Sequence, residues 1–245
     1  MSERAYKTDA FVLRGRNLGE ADRIFTLFTR SRGKLDAVAK GVRRVKSHVA
    51  GKLEFLTEAE LTLHAGRSLD VITSATILHS EWERLVEPGA FAAGHVVAEL
   101  VDAFCEPDLA QIEIYMLLRS VVRALAASAV PRALLTRFEL RLLDVLGLLP
   151  ELDACVRCGK ALKDEGWLDP ASGGLVCSAC HSGVEAGRLV GDEVENLRGL
   201  AAPRGAKAAL IAVPPVARAV DALVTYHLGK RSKASAFLEE LAEAR

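Results

Sequence analysis

Two Cys-x-x-Cys motifs constrain the folding of this chain more than any other feature. Cys155 and Cys158 form one pair, Cys177 and Cys180 the other, and 18 residues separate the pairs. Two residues between cysteines allow both thiolates of a pair to reach one ion, and two such pairs complete a tetrahedral shell of four sulfurs. We therefore predict one structural Zn²⁺ ion bound by Cys155, Cys158, Cys177 and Cys180.

Glycines stand where such a site needs tight turns. Gly159 follows the first cysteine pair, and Gly173 and Gly174 lie between the pairs, where a hairpin turn fits. A pair of redox dithiols is the alternative, but a thioredoxin-like site needs one Cys-x-x-Cys beside a βαβ unit. His181 is a substitute ligand in principle, although four thiolates already fill the shell and leave no open position for water. Cys105, in an apolar helical stretch, is expected to be a buried thiol.

The net charge of zero conceals an uneven distribution. Residues 1–52 contain 13 Lys or Arg and 5 Asp or Glu, a net charge of +8, so the remaining residues carry −8. This balance excludes a uniformly basic nucleic-acid protein but favours a polyanionic partner for the N-terminal region. The alternative is a solvated surface with uneven charge.

The N-terminal region has the pattern of a small β-structure. Five short apolar segments, bounded by turn residues, are predicted as strands over 7–14, 23–30, 34–40, 53–63 and 69–77. A small closed barrel removes the exposed edges of so few strands, and five strands with a basic loop are typical of the OB-fold. We predict a five-stranded OB-fold β-barrel domain over residues 1–80.

The basic residues of this region concentrate at predicted strand ends and loops. Together they are predicted to line one positive groove that binds DNA phosphates without sequence preference and with strong salt dependence. Most aromatic residues of the first 80 lie in strand patterns and are expected in the core, so base stacking is expected to contribute little. The candidate DNA-binding residues are Arg14, Arg16, Arg32, Lys34, Lys40, Arg43, Arg44, Lys46 and Lys52.

From Pro88 onward the apolar period becomes helical. Helices are predicted over 90–105, 109–128, 132–147, 216–228 and 235–243, with another beginning near Asp192. His95 on such a helix is expected to be structural. The predicted fold class is therefore α+β multidomain, with an α-helical domain over 81–150 and 185–245 and a four-cysteine zinc finger inserted over 151–184.

No catalytic motif accompanies these elements. The sequence contains neither a G-x-x-x-x-G-K-[ST] loop nor a G-x-G-x-x-G turn, and no His-x-Glu precedes the cysteines as in zinc deaminases. A non-enzymatic binding protein without a small-molecule substrate is therefore favoured. No run of 18 apolar residues and no secretory signal is present, so a cytoplasmic location without membrane contact is expected.

Several sequence blocks, taken in order, resemble the RecO family of bacterial recombination mediators. Gly19-Glu20-Ala21-Asp22-Arg23 and the basic segment around Arg43 are similar to the family's early strands and loop. Near the first cysteine pair, a Phe-Glu-Leu-Arg-Leu-Leu block with Gly-Leu-Leu-Pro continues the similarity. The matching blocks are residues 8–14, 19–23, 27–29, 33–34, 39–44, 53–55, 138–143, 147–150, 173–177, 226–229 and 232–238.

The resemblance implies an OB-fold that binds single- and double-stranded DNA and anneals complementary strands. It also implies partnership with RecR and with the single-strand-binding protein SSB, so that RecA is loaded onto SSB-coated DNA in the RecF pathway, at the nucleoid and within the SOS response. Four arginines are candidates for contact with an acidic SSB tail, against the alternative of solvated helix faces. They are Arg119, Arg123, Arg132 and Arg137.

Three other functions remain open at this point. The first is a zinc-ribbon RNA-binding or transcription-associated protein, which would prefer RNA over DNA. The second is a metal-dependent hydrolase, against which the four thiolates argue because they leave no site for water. The third is a protein scaffold without a role in nucleic-acid binding.

Overall fold

A computed structural model describes residues 5–128, 131–181, 187–202 and 211–243. The chain divides into two compact units, Met1–Ala127 and Ser128–Arg245. Among the described residues, no helix combines the length and apolar character needed to cross a membrane.

The first unit begins with five strands that close into a barrel in the order β1-β2-β3-β5-β4, where β4 pairs back onto β1. Neighbouring strands are antiparallel, except that β3 and β5 run parallel. The five predicted strands are therefore confirmed. Their bounds are β1 Ala5–Leu18, β2 Asp22–Thr29, β3 Gly33–Ala39, β4 Glu58–His64 and β5 Asp70–His79.

Two strand bounds differ from the sequence prediction. Strand β1 continues to Leu18 because β2 pairs with it as far as Asp22, so Arg14 and Arg16 lie inside a strand and not at its end. Strand β4 begins only at Glu58, and residues 53–57 form turns instead.

The barrel encloses one apolar core. Its large side chains include Phe25, Leu27 and Leu61, all 2% exposed or less, and they alternate along their strands with residues that face outward. Phe11 and Phe28 are also buried, as predicted for the aromatic residues in strand patterns.

Three helices complete the first unit: α1 Trp82–Leu85, α2 Pro88–Phe104 and α3 Ile112–Ala126. Helix α2 starts with a proline, whose missing N–H costs nothing at the first helical turn. Its buried face carries Val96, Val97, Leu100 and Val101, the apolar positions that predict a helix from the sequence. Helix α1 is not predicted because four residues are too few to show a period.

The second unit combines helices with a small sheet. Strand β6 lies between β7 and β8, with both pairs antiparallel. Gly173, at a φ of +78°, closes the β6–β7 turn as predicted. The elements are α4 Pro131–Val145, β6 Glu165–Asp169, β7 Gly174–Val176, β8 Gly187–Val190, α5 Asp192–Ala201, α6 Pro214–Leu228 and α7 Lys233–Glu243.

The two compact units divide the chain differently from the predicted domains. The boundary lies between Ala127 and Ser128, so α1–α3 cluster with the barrel, whereas α4 clusters with the cysteine region. The domain bounds 1–80, 81–150 with 185–245, and 151–184 stay a prediction. Parts of them, residues 1–4, 129, 130, 182–186, 203–210, 244 and 245, lie outside the described residues.

Candidate metal centre and nucleic-acid interface

The four predicted cysteine ligands come together in the second unit. All four Sγ atoms lie within 4.8 Å of one another, and the Sγ atoms of Cys158 and Cys177 are 3.8 Å apart. Tetrahedral coordination with Zn–S bonds of about 2.3 Å separates sulfurs by about 3.8 Å. The donor set and its spacing therefore fit a metal ion held by four thiolates.

Backbone hydrogen bonds shape the two cysteine turns. In the first turn the Gly159 N–H donates to the Cys155 carbonyl at 2.8 Å, and Gly159 has a φ of +74° that suits glycine. In the second turn the Cys180 N–H donates to the Cys177 carbonyl at 3.0 Å. Each turn places its two sulfurs on the same side. The position of each sulfur pair is therefore set by residues that are close in sequence.

Electrostatics at the cluster favour a cation. Burial opposes ionisation of Cys155, but backbone N–H groups, including that of Cys177 at 3.4 Å from its sulfur, outweigh burial and lower the pKa of Cys155 to about 6. The neighbouring sulfurs of Cys158 and Cys177 raise the pKa of Cys180 to about 12. Because thiolates this close repel one another, a divalent cation at their centre is what allows all four to ionise.

An arginine inside the first motif ties the two turns together. The Arg157 guanidinium donates to the Cys180 carbonyl at 3.0 Å and forms an ion pair with Asp169 at 3.1 Å. Asp169 is 1% exposed, and although burial opposes its ionisation, hydrogen bonds from Ser172 and the charge of Arg157 lower its pKa. Sequence reasoning misses both residues, since only the β6–β7 turn brings Asp169 near the cysteines.

The basic loop, residues 40–52 between β3 and β4, is fixed at its base by the barrel. Val42 is buried in the barrel core, and Val49 packs against it. The Gly41 N–H donates to the Asp22 carboxylate at 2.7 Å, and the Arg43 N–H donates to the Ala21 carbonyl at 3.0 Å. The rest of the basic loop therefore extends from an ordered base beside the β1–β2 turn.

The cations of the basic loop have no acidic partners among the described residues. The loop contains five Lys or Arg and no Asp or Glu. Across the described part of the chain, no carboxylate oxygen lies within 4.0 Å of their charged nitrogens. The Arg43 guanidinium donates to the carbonyls of Gly19 and Glu20, at 3.4 and 3.0 Å, which orients it without neutralising its charge. Lys52 is half-buried, whereas the other four cations, Lys40, Arg43, Arg44 and Lys46, are exposed.

The other four predicted DNA-binding residues form ion pairs with carboxylates of the same unit. Lys34 is mostly buried, with its side chain 17% exposed, and it also donates to the Asp102 carbonyl. These pairs offset the charge that a phosphate would otherwise meet. They are Arg14–Asp102 at 3.3 Å, Arg16–Asp36 at 3.6 Å, Arg32–Asp70 at 3.2 Å, Arg32–Asp108 at 2.7 Å and Lys34–Asp102 at 3.4 Å.

The arginines considered for an acidic tail make contacts within their own units. Arg119 pairs with buried Glu58 at 3.2 Å, and Arg123 lies 3.8 Å from the same carboxylate. In the second unit Arg132 donates to the Ala217 carbonyl at 2.9 Å, and Arg137 to the Ala202 carbonyl at 3.4 Å. Cys105 is buried as predicted, and burial raises the pKa of its thiol to about 12.

Comparison with protein families agrees with this architecture. The family model described as recombination protein O N terminal matches residues 1–81. A second family model, described as recombination protein O C terminal, matches residues 87–236. The chain belongs to the RecO family. The two matches together cover the barrel, helices α2 to α6 and the cysteine cluster of this RecO-family chain.

Individual relatives bear the same family name. The DNA repair protein RecO of a Nocardioides species is 41% identical over 185 residues, which are 72% of this chain and 74% of that protein. The DNA repair protein RecO of Heliobacterium modesticaldum is 39% identical over 204 residues, 80% of this chain and 74% of that protein. That of Bifidobacterium longum is 38% identical over 180 residues, 72% and 74% of the two chains.

Proposed function

We propose that this RecO-family protein is a non-enzymatic mediator of DNA repair and homologous recombination that binds single- and double-stranded DNA. In this role it anneals complementary strands and, with RecR, helps RecA load onto SSB-coated single strands in the RecF pathway at the nucleoid. The observation that carries the proposal is the basic loop, where five cations stand on an anchored base and have no acidic partner in the part of the chain that the structure describes. Such a loop attracts phosphates and releases their counterions, whatever the base sequence.

The strand order of the barrel supports an OB-fold. A five-stranded Greek-key barrel in which β1 pairs with both β2 and β4, and β3 runs parallel to β5, has the topology of folds that bind oligonucleotides on one face and its loops. The basic loop joins β3 to β4 at the rim of this barrel. We infer that DNA phosphates lie along this rim.

We propose that the metal at the four cysteines is one structural Zn²⁺ ion. Its role would be to hold the two cysteine turns and the β6–β7 hairpin together, because four thiolates leave no position for a reacting water. This assignment supports a binding protein and argues against a metal-dependent hydrolase.

Fluorescence anisotropy with labelled single-stranded DNA, titrated at several salt concentrations and repeated with SSB-coated strands, tests the proposal. We expect tight, salt-dependent binding that persists on coated strands, followed by faster annealing of complementary strands. Absence of binding at low salt would contradict it.

The same titration with RNA of equal sequence addresses the alternative of an RNA-binding zinc protein. Strong preference for RNA would favour that alternative. Equal or weaker binding of RNA would favour the DNA mediator.

A further inference from the structure

A chain of four rings lies beside the basic loop in the first unit. Trp82 contacts Phe91 at a centroid distance of 6.4 Å, Phe91 contacts His95 at 4.4 Å, and His95 stacks on Phe55 at 4.1 Å with an interplanar angle of 11°. We call these four residues the aromatic stripe. They come from three separate segments, namely the turns before β4, helix α1 and helix α2.

The aromatic stripe is more exposed than the phenylalanines of the barrel strands, although Tyr6 and Phe104 of the same unit are also partly exposed. Phe11, Phe25 and Phe28 are at most 2% exposed and fill the core. All four residues of the stripe are partly exposed. Rings that served the core alone would be buried like the first group, whereas a row of accessible rings offers π-faces to a ligand.

A strained corner holds Phe55 in this position. The next residue, Leu56, has a φ of +55°, which is costly for a residue with a branched side chain, and it is 1% exposed. Its N–H donates to the Val12 carbonyl at 2.8 Å, and the Val12 N–H donates to the Thr57 carbonyl at 3.2 Å. The corner thus buries Leu56 while its neighbour Phe55 remains on the surface against α2.

Gly94 on α2 makes the close approach possible. A Cβ at this position would lie 3.1 Å from the Leu56 Cδ1 and 3.5 Å from the Phe55 Cε1. A larger residue would push the corner away from the helix. The stacking of Phe55 on His95 therefore depends on a glycine one residue before the histidine.

The basic loop ends three residues before Phe55. Three extended residues span at most about 11 Å, so the Lys52 and Phe55 Cα atoms are no further apart than that. Carboxylates occur along the stripe as well: Glu54 lies between the loop and Phe55, the Glu99 carboxylate is close enough to act on the charge of His95, and Glu81 pairs with His79 at 2.9 Å. Phosphates are therefore favoured at the loop, and the ring faces that continue from it offer contacts to bases and not to phosphates.

We propose that the aromatic stripe binds unpaired bases of single-stranded DNA whose phosphates lie along the basic loop. Paired bases in a duplex keep their faces stacked on each other, so only a single strand gains from the rings. The stripe then provides a preference for single strands that the basic loop alone does not supply. This inference rests on the proposed DNA-binding function.

The test compares leucine variants on strands with and without bases. Phe55→Leu and Phe91→Leu keep an apolar side chain but remove the ring, and Phe237→Leu, at a 48% exposed ring in the second unit, is the matched control. Each stripe variant is expected to lose about 5-fold or more in affinity for single-stranded DNA, while duplex affinity changes by less than about 2-fold. A strand of abasic residues should bind wild type and variants equally.

Trp82 reports the contact directly. The chain has two tryptophans, so Trp167→Phe leaves Trp82 as the single indole. Its fluorescence is expected to be quenched by single-stranded DNA but not by the abasic strand.

Three results are distinguishable. Wild-type affinity for both DNA forms in both stripe variants would overturn the stripe proposal and leave the basic loop intact. Equal losses on both DNA forms would also overturn it, since the rings would then only support the loop. A wild-type protein that binds neither form would overturn the proposed function itself.

Discussion

The barrel and the cysteine region hold short strands together by different means. The barrel closes around a contiguous apolar core, so its five strands support one another without a cofactor. The cysteine region has strands of five, three and four residues and gathers four sulfurs instead. This difference indicates that the proposed metal ion would stabilise the second unit locally, whereas the proposed DNA contacts lie in the first unit.

Removing the metal should give the largest loss of stability, and it should destabilise the cysteine region but not the barrel. Structural Zn²⁺ sites contribute about 10–16 kcal/mol of apparent binding free energy at pH 7. We expect a strong chelator, or Cys177→Ser, to expose residues 151–181 to proteolysis while the barrel stays resistant. Cys105→Ser is the control, because this thiol lies in the first unit outside the cluster. Equal loss of both regions would contradict the comparison.

The next largest loss of stability is expected from replacing a buried carboxylate in the first unit. Glu58 is 1% exposed, accepts a hydrogen bond from the Tyr115 hydroxyl at 2.9 Å and pairs with Arg119. Arg119 is itself 36% exposed, so the main cost of removing this carboxylate is that the buried Tyr115 hydroxyl loses its acceptor, which amounts to about 1–3 kcal/mol. We expect Glu58→Ala to lower the free energy of unfolding by that amount in urea.

The matched control for this substitution is Glu60→Ala. Glu60 forms a surface pair with Lys7 at 3.2 Å and should change the free energy of unfolding by less than about 1 kcal/mol. Equal losses of unfolding free energy in the two variants would contradict the view that the contacts of Glu58 with α3 stabilise the packing of this helix on the barrel.

A buried acid in the second unit should make its stability depend on pH. Glu139 on α4 is 1% exposed, and burial, followed by the charge of Asp221, raises its pKa to about 8 against an opposing effect of Arg132. The unfolded chain releases this proton at lower pH, so stability is full below the usual pKa of 4.5 and is lost as pH rises to about 8. The free energy of unfolding should fall by at most about 1.4 kcal/mol for each pH unit in this range.

Urea unfolding followed by Trp167 fluorescence in a Trp82→Phe background measures this slope for the second unit. Glu139→Gln should flatten the curve between pH 4.5 and about 8, since it has no proton to release. A wild-type curve that is equally flat would contradict the assignment.

The sequence is informative where the chemistry is local. Cysteine spacing predicts the four-sulfur cluster because each pair lies in one turn. Short apolar segments bounded by turn residues predict the five strands, although β2 is buried at every residue from Ile24 to Thr29 and shows no alternation. Strand β8 is missed because four residues, with only Leu189 buried, show no period.

Sequence reasoning cannot predict ion pairs between residues that lie far apart in the chain. Nine basic residues are equivalent candidates in the sequence, yet Arg14 and Lys34 meet Asp102, which lies more than 60 residues away. Only the folded chain shows which cations keep an unpaired charge. The expectation that aromatic residues serve the core holds for Phe25 but not for Phe55, whose corner depends on Gly94 of a later helix.

The most direct test of the central claim compares two double variants in the same salt titration with DNA. Arg43→Ala with Arg44→Ala removes two cations of the basic loop, and Arg14→Ala with Arg16→Ala removes two that are already paired. The account predicts that the loop variant lowers the slope of log affinity against log salt by about 1 to 2, whereas the paired variant changes it by less than about 0.5. Equal slopes in the two variants would contradict it.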